Sequence, residues 1–177
     1  MSRVPDEIDD RDTSVLACTG VSAFNALQKS GPRPGEVVAV LGIGGVGHMS
    51  IQMAARMGFV TVAVSRGRDK EDLDRRLGAD HFVDGSAQDL DEELRRLGGA
   101  QLIVSTTTEA AAVSGAIEGL KRRGEMVMIG IPQENLSLNA LQLITNTRSI
   151  TGLISGTPLD REQAFGFAVA EDIRPMF

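Results

Sequence analysis

Apolar positions along the chain fall into runs that alternate between two periods. Val37-Val38-Ala39-Val40-Leu41 is an unbroken apolar run, as expected of a strand buried on both faces. Val60–Ser65, Leu102–Ser105 and Glu125–Ile129 read the same way, with a short third strand at His81–Val83 and a sixth at Ile150–Ile154. Helical spacing fills the gaps. It predicts a helix over Gly45–Met57, and a second carrying Leu73 and Leu77, capped by Asp69 and stopped by Gly78. A third carries Leu90, Leu94 and Leu97, capped by Asp89 and stopped by Gly98-Gly99; others cover Glu109–Leu120 and Arg161–Glu171. Before the first strand, Leu16, Ala23, Phe24 and Leu27 fall near one face of a helix over Ser14–Ser30, which Gly31-Pro32 ends. Asn139–Leu143 is a short apolar segment whose type the pattern leaves open. Alternating strands and helices predict an α/β, doubly wound parallel sheet, the Rossmann fold, with strand order 3-2-1-4-5-6.

The first strand runs into Gly42-Ile43-Gly44-Gly45-Val46-Gly47, with Gly42, Gly44 and Gly47 at G-x-G-x-x-G spacing. Strand, glycine turn and helix in that order form the fingerprint of a dinucleotide site. Gly42 allows the tight turn, Gly44 lets a pyrophosphate approach the backbone, and Gly47 lets helix and strand pack closely. The free N–H groups and dipole of the helix then hold the anion. The residues of the turn, Gly45 and Val46 included, are therefore candidate cofactor contacts. Met49, Met53 and Met57, every fourth residue along the same helix, read as gap-filling core.

An NAD site places Asp or Glu at the end of the second strand, about 20 residues beyond the glycines. Here Ser65 stands 18 positions after Gly47 (65 − 47), followed by Arg66, Gly67, Arg68, Asp69 and Lys70. A hydroxyl followed by cations suits a 2′-phosphate: Ser65 can donate to it, Arg66 can fork or stack on it, and Lys70 adds charge. NADP(H) is the coenzyme expected, with NAD(H) the alternative if Asp69 turns inward to a plain ribose. A solvated basic loop is the competing reading. Thr106-Thr107-Thr108, after the fourth strand, is either a helix cap or a cofactor contact.

Composition narrows the class. Aromatic residues are 3% with no Trp or Tyr, so the core is aliphatic. A net charge of −6 argues against nucleic acid or an anionic membrane as partner. One cysteine permits no intrachain disulfide and suits a reducing, cytoplasmic setting. Neither a signal-peptide pattern nor a long uncharged apolar run is visible. Acidic residues in the first dozen positions mark residues 1–13 as a solvated leading segment, with one dinucleotide-binding domain over 14–177.

Leu16-Ala17-Cys18-Thr19-Gly20-Val21-Ser22-Ala23-Phe24-Asn25-Ala26-Leu27 resembles the segment preceding the dinucleotide fold in zinc-dependent medium-chain alcohol dehydrogenases. Val37–Gly47 with His48, Leu77-Gly78-Ala79-Asp80-His81, and Ile150-Thr151-Gly152 with Gly156-Thr157 are similar to the same family. The resemblance covers about Ser14 to Phe177 and implies that family's nucleotide-binding domain, without most of its β-rich catalytic domain. It implies that Cys18 stands at a zinc-ligand position, whose other protein ligands the missing domain supplies. A lone cysteine is otherwise a small buried apolar residue, and neither His48 nor His81 obviously replaces a ligand. The resemblance also implies backbone contacts from Ile129, Gly130 and Ile131 to the nicotinamide amide, where the pattern alone shows a strand end. It places Ser22, otherwise an ordinary helix residue, at the nicotinamide pocket. It implies a homodimer joined near Leu141–Thr145 and Ile150–Ile154.

Three functions remain open. The chain is the NADP(H)-binding part of an alcohol-dehydrogenase-type oxidoreductase acting on an alcohol or aldehyde, a module that binds a dinucleotide without turning it over, or a relative doing non-redox chemistry in the vacated cleft. The substrate is not readable, because the substrate-facing domain is not in the sequence.

Overall fold

A computed structural model describes residues 2–176; Met1 and Phe177, the ends of the two segments read from sequence, lie outside the described residues. Six strands form one sheet: β1 (Val37–Leu41), β2 (Val60–Ser65), β3 (His81–Asp84), β4 (Ala100–Ser105), β5 (Leu120–Met128) and β6 (Ser149–Gly152). They lie in the order β3-β2-β1-β4-β5-β6, every pair parallel. The order reverses between β1 and β4, which opens a crevice at their carboxyl ends.

The helices cover both faces. On one side α2 (Val21–Lys29), α3 (Gly45–Arg56) and α8 (Pro158–Ala170) bury Leu27, Met49, Met53 and Phe165 against Val38, Leu102 and Val104. On the other, α5 (Leu90–Arg96) and α6 (Ala110–Ala116) bury Leu94, Val113 and Ala116 against Ala39, Val62 and Ile103. Alternate residues of β1 serve opposite layers, which explains its unbroken apolar run. Met49 and Met53 are fully buried and Met57 packs at the rim of the same cluster, as expected of gap-filling core.

Several boundaries differ from expectation. The first helix starts at Asp10 as α1 (Asp10–Val15), because Asp9 caps it through the Asp12 N–H. It passes through a π-helical turn, Leu16–Gly20, before α2. The leading segment is not wholly solvated either: Ile8 is buried in the core. Asp69 is an exposed turn residue and caps nothing; Lys70 holds the N-cap of α4 (Glu71–Leu77) with no side-chain cap bond. Asp89 does cap α5, and Gly78 ends α4 in the left-handed conformation with φ 101°.

The helix expected to reach Leu120 ends at Ala116. A short 3-10 turn, Ile117–Gly119, follows, and β5 begins at Leu120. Charges at Lys121, Arg122 and Arg123 hid this half of the strand. Lys121 pairs with Glu36 at 2.6 Å, Arg123 takes φ 62°, and the β4–β5 register shifts there. Asn139–Leu143 resolves into α7 (Ala140–Ile144), held by a capping box of Asn139 and Gln142. β6 starts and stops earlier than Ile150–Ile154, and α8 begins at Pro158 because Thr157 and Asp160 make a second capping box. Among the described residues no helix is long and apolar enough to cross a membrane.

Candidate functional site

The crevice holds a cleft of about 500 Å3 lined by the glycine turn, the end of β2 and the loop after β4. Local geometry builds its floor. Gly42 turns the chain off β1 with φ 94°, and its N–H donates to Val64 O at 2.9 Å. A Cβ on Gly47 would collide with the Gly42 carbonyl oxygen, so α3 packs against the strand only with glycine there. A Cβ on Gly44 would meet nothing within 4 Å; the open space beside it belongs to the cleft. The first bond of α3 runs from the His48 N–H to Gly44 O at 3.0 Å. The N–H groups of Gly45, Val46 and Gly47 precede it and have no intrahelical acceptor.

Of the residues singled out by sequence, Gly42, Gly44, Ser65, Arg66, Lys70 and Thr106 line the cleft together. Gly45, Val46 and Gly47 form the first turn of α3 beside it. Ile129, Gly130 and Ile131 lie past the end of β5, outside the lining. There the N–H groups of Ile129 and Gly130 both donate to Ser105 O, at 2.9 and 3.0 Å. A Cβ on Gly130 would strike the Thr106–Thr107 backbone, while Ile131 is 82% exposed. The Thr106 hydroxyl donates to Gly42 O at 2.7 Å and so ties the β4 loop to the glycine turn. Thr107 accepts from the Glu109 N–H at 3.3 Å, the local turn that precedes α6.

Each cation of the basic loop already has a partner. Arg66 pairs with Glu109 across the cleft. Arg68 pairs with Glu71 at 2.6 Å, and Lys70 Nζ donates to Ile43 O at 2.6 Å, reaching back into the glycine turn. Asp84, which sequence reading passed over, shapes this loop: one carboxylate oxygen accepts from the Gly67 N–H at 2.8 Å and from the Ser86 N–H and hydroxyl. The Ser86 hydroxyl, with backbone N–H groups of Ser86 and Gly67, holds its carboxyl below the ordinary carboxylate value. The signal was present as Asp84-Gly85-Ser86 at a strand end, a side-chain turn motif. The Arg66–Glu109 pair had no such signal, since its members are far apart in sequence.

The metal position is different. Cys18 is exposed, on the π-helical turn, and among the described residues no group of three His, Cys, Asp or Glu could hold a metal ion. A zinc ion needs three or four protein ligands, so the residues present do not fit one. His48 is engaged instead: Nδ1 donates to Gly44 O at 3.3 Å and Nε2 accepts from the Met176 N–H at 3.3 Å. Ser22 is buried and returns its hydroxyl to Cys18 O at 2.9 Å. Arg161 of α8 donates to Ala17 O at 3.0 Å, satisfying a carbonyl in the π-helical turn.

An alcohol dehydrogenase of Aspergillus sp. (strain MF297-2) is 39% identical over 93% of this chain and 48% of its own length. One from Geobacillus stearothermophilus is 34% identical over 99% of this chain and 52% of its own. The solved cinnamyl alcohol dehydrogenase of Sorghum bicolor superposes with a TM-score of 0.83 at 28% identity, over 98% of this chain and 49% of that one. The chain thus spans about half the length of the curated relatives it matches. The sequence profile described as zinc-binding dehydrogenase matches residues 45–170, and the chain belongs to that family.

Proposed function

We propose that this chain binds NADP(H) as the nucleotide-binding half of an alcohol-dehydrogenase-type oxidoreductase that acts on an alcohol or aldehyde. The observation carrying the reading is the open space beside Gly44, where a cleft, a bare backbone and the free N–H groups of α3 meet. The diphosphate would lie against Gly44, Gly45, Val46 and Gly47, with the Lys70 ammonium beside the turn through its bond to Ile43 O. Ser65 and Arg66 would take the 2′-phosphate. Among the described residues no carboxylate of the β2 end lines the cleft: Asp69 is an exposed turn residue outside the lining, and Asp84 is spent on Gly67 and Ser86. Ile129, Gly130 and Ile131 would meet the nicotinamide end. When bound, the nicotinamide ring supplies the hydride acceptor or donor; this chain's part is to hold and orient it.

Among the described residues Cys18 would be a lone zinc ligand, too few to hold the ion, and no step runs through a metal. That favours a second reading, in which these residues alone bind the dinucleotide without turning it over. The exposed edge of β6 and the exposed Leu141 and Ile144 support a homodimer joined there. A single thiol suits the cytoplasm.

The test is a titration followed by coenzyme fluorescence, since the chain has no Trp or Tyr of its own. NADPH should bind about tenfold tighter than NADH, the worth of one charge-assisted phosphate contact. Equal affinities, or tighter NADH, would overturn the NADP(H) assignment.

A further inference from the structure

The geometry points to Glu109 as a residue that sets coenzyme selectivity by competing with the 2′-phosphate for Arg66. This rests on the dinucleotide reading above. β2 and β4 flank β1 in the sheet, so a contact from the β2 loop to the β4 loop must cross the carboxyl end of β1, over the glycine turn. The Arg66–Glu109 ion pair makes that crossing, and both residues line the cleft. Arg68 is held by Glu71 on its own side, and Lys70 by the Ile43 carbonyl. Among the cations of this loop, Arg66 alone pairs with a carboxylate across the cleft.

The pair is solvated, with side chains 76% and 44% exposed, and such pairs are weak. A phosphate monoester carries more charge than a carboxylate and offers three acceptor oxygens to a guanidinium fork. It can draw Arg66 off Glu109; a ribose hydroxyl cannot. Glu109 therefore lowers affinity for the phosphorylated coenzyme in two ways. It occupies Arg66, and it leaves a like charge at the rim once Arg66 has moved. The unphosphorylated coenzyme leaves the strap closed and is indifferent to it.

The experiment titrates NADPH and NADH into the chain and into Glu109→Gln, Arg66→Gln and the double variant, with circular dichroism as a check on folding. Both positions are on the surface, so all four proteins should fold alike. Glu109→Gln should tighten NADPH about threefold to fivefold, the worth of an exposed ion pair, and leave NADH within about twofold. In the Arg66→Gln background that gain should shrink to the small effect of removing a like charge. Equal tightening of both coenzymes, no change in either, or an undiminished gain without Arg66 would each overturn the inference while leaving dinucleotide binding intact. Failure of the unsubstituted chain to bind either coenzyme would overturn the underlying reading itself.

Discussion

Gly44 and Gly47 belong to one turn and do separate jobs. Gly47 is structural: its hydrogen stands where a methyl group would overlap the Gly42 carbonyl. Gly47→Ala should cost about 2–3 kcal/mol by overpacking, read as a lower urea midpoint. Gly44 has φ −103° and open space, so Gly44→Ala should leave stability within about 0.5 kcal/mol. Its methyl would still stand where the diphosphate must lie, so the same variant should lose most coenzyme affinity. Asp74 is a second single-residue case. It is fully buried with both carboxylate oxygens unpartnered, and burial pushes its carboxyl up to about 6, against the pull of Lys70. The folded protein therefore keeps a proton that the unfolded chain releases from about pH 4 upward. That stability is fully present below the unfolded value and is lost as pH rises through 6. Asp74→Asn should be more stable than the parent by about 3 kcal/mol at pH 8 and no different near pH 3; parallel pH profiles would contradict this. The glycine spacing was legible because it is local. The burial of Asp74 and the pairing of Glu109 were not, because distant elements create them.

At the scale of elements, period and caps carried most of the reading. Strands β1, β2 and β4 were plain because both faces are buried: β1 has no polar position, and in β2 and β4 only Thr61, Ser65, Gln101 and Ser105 interrupt the run. The reading failed where a tertiary contact overrides local preference. The first half of β5 carries three charged residues, one of which, Lys121, pairs with Glu36 just before β1. The π-helical turn at Leu16–Gly20 adds a residue that no apolar period reveals, and Arg161 supports it from the far end of the chain. Arg148, also unforeseen, has a side chain only 7% exposed and joins three elements: it bonds Leu120 O at 2.9 Å, Glu118 Oε2 at 2.9 Å and Gln142 O at 3.3 Å. Removing it orphans those acceptors. Arg148→Met should cost about 2–4 kcal/mol in denaturant unfolding, while Arg122→Met, exposed on the neighbouring strand, should be near neutral.

Across the whole molecule, the sheet order follows from alternation and right-handed crossovers, and it puts the glycine turn at the reversal point. What the order does not reveal is what meets the β6 edge. Ile144 is 70% exposed and Ile154 95% exposed near it, and an uncovered apolar edge invites pairing. Sedimentation equilibrium should find a species of twice 18.8 kDa, dissociated by Leu141→Lys with Ile144→Lys; a monomer at every concentration would remove the dimer. The central claim is narrower: the backbone at Gly44–Gly47 grips a diphosphate. Calorimetric titration of the chain with NADPH tests it most directly. One site per chain, with the heat abolished in a stably folded Gly44→Ala variant, is the expected result. No heat from the parent chain, or full binding by the variant, would contradict it.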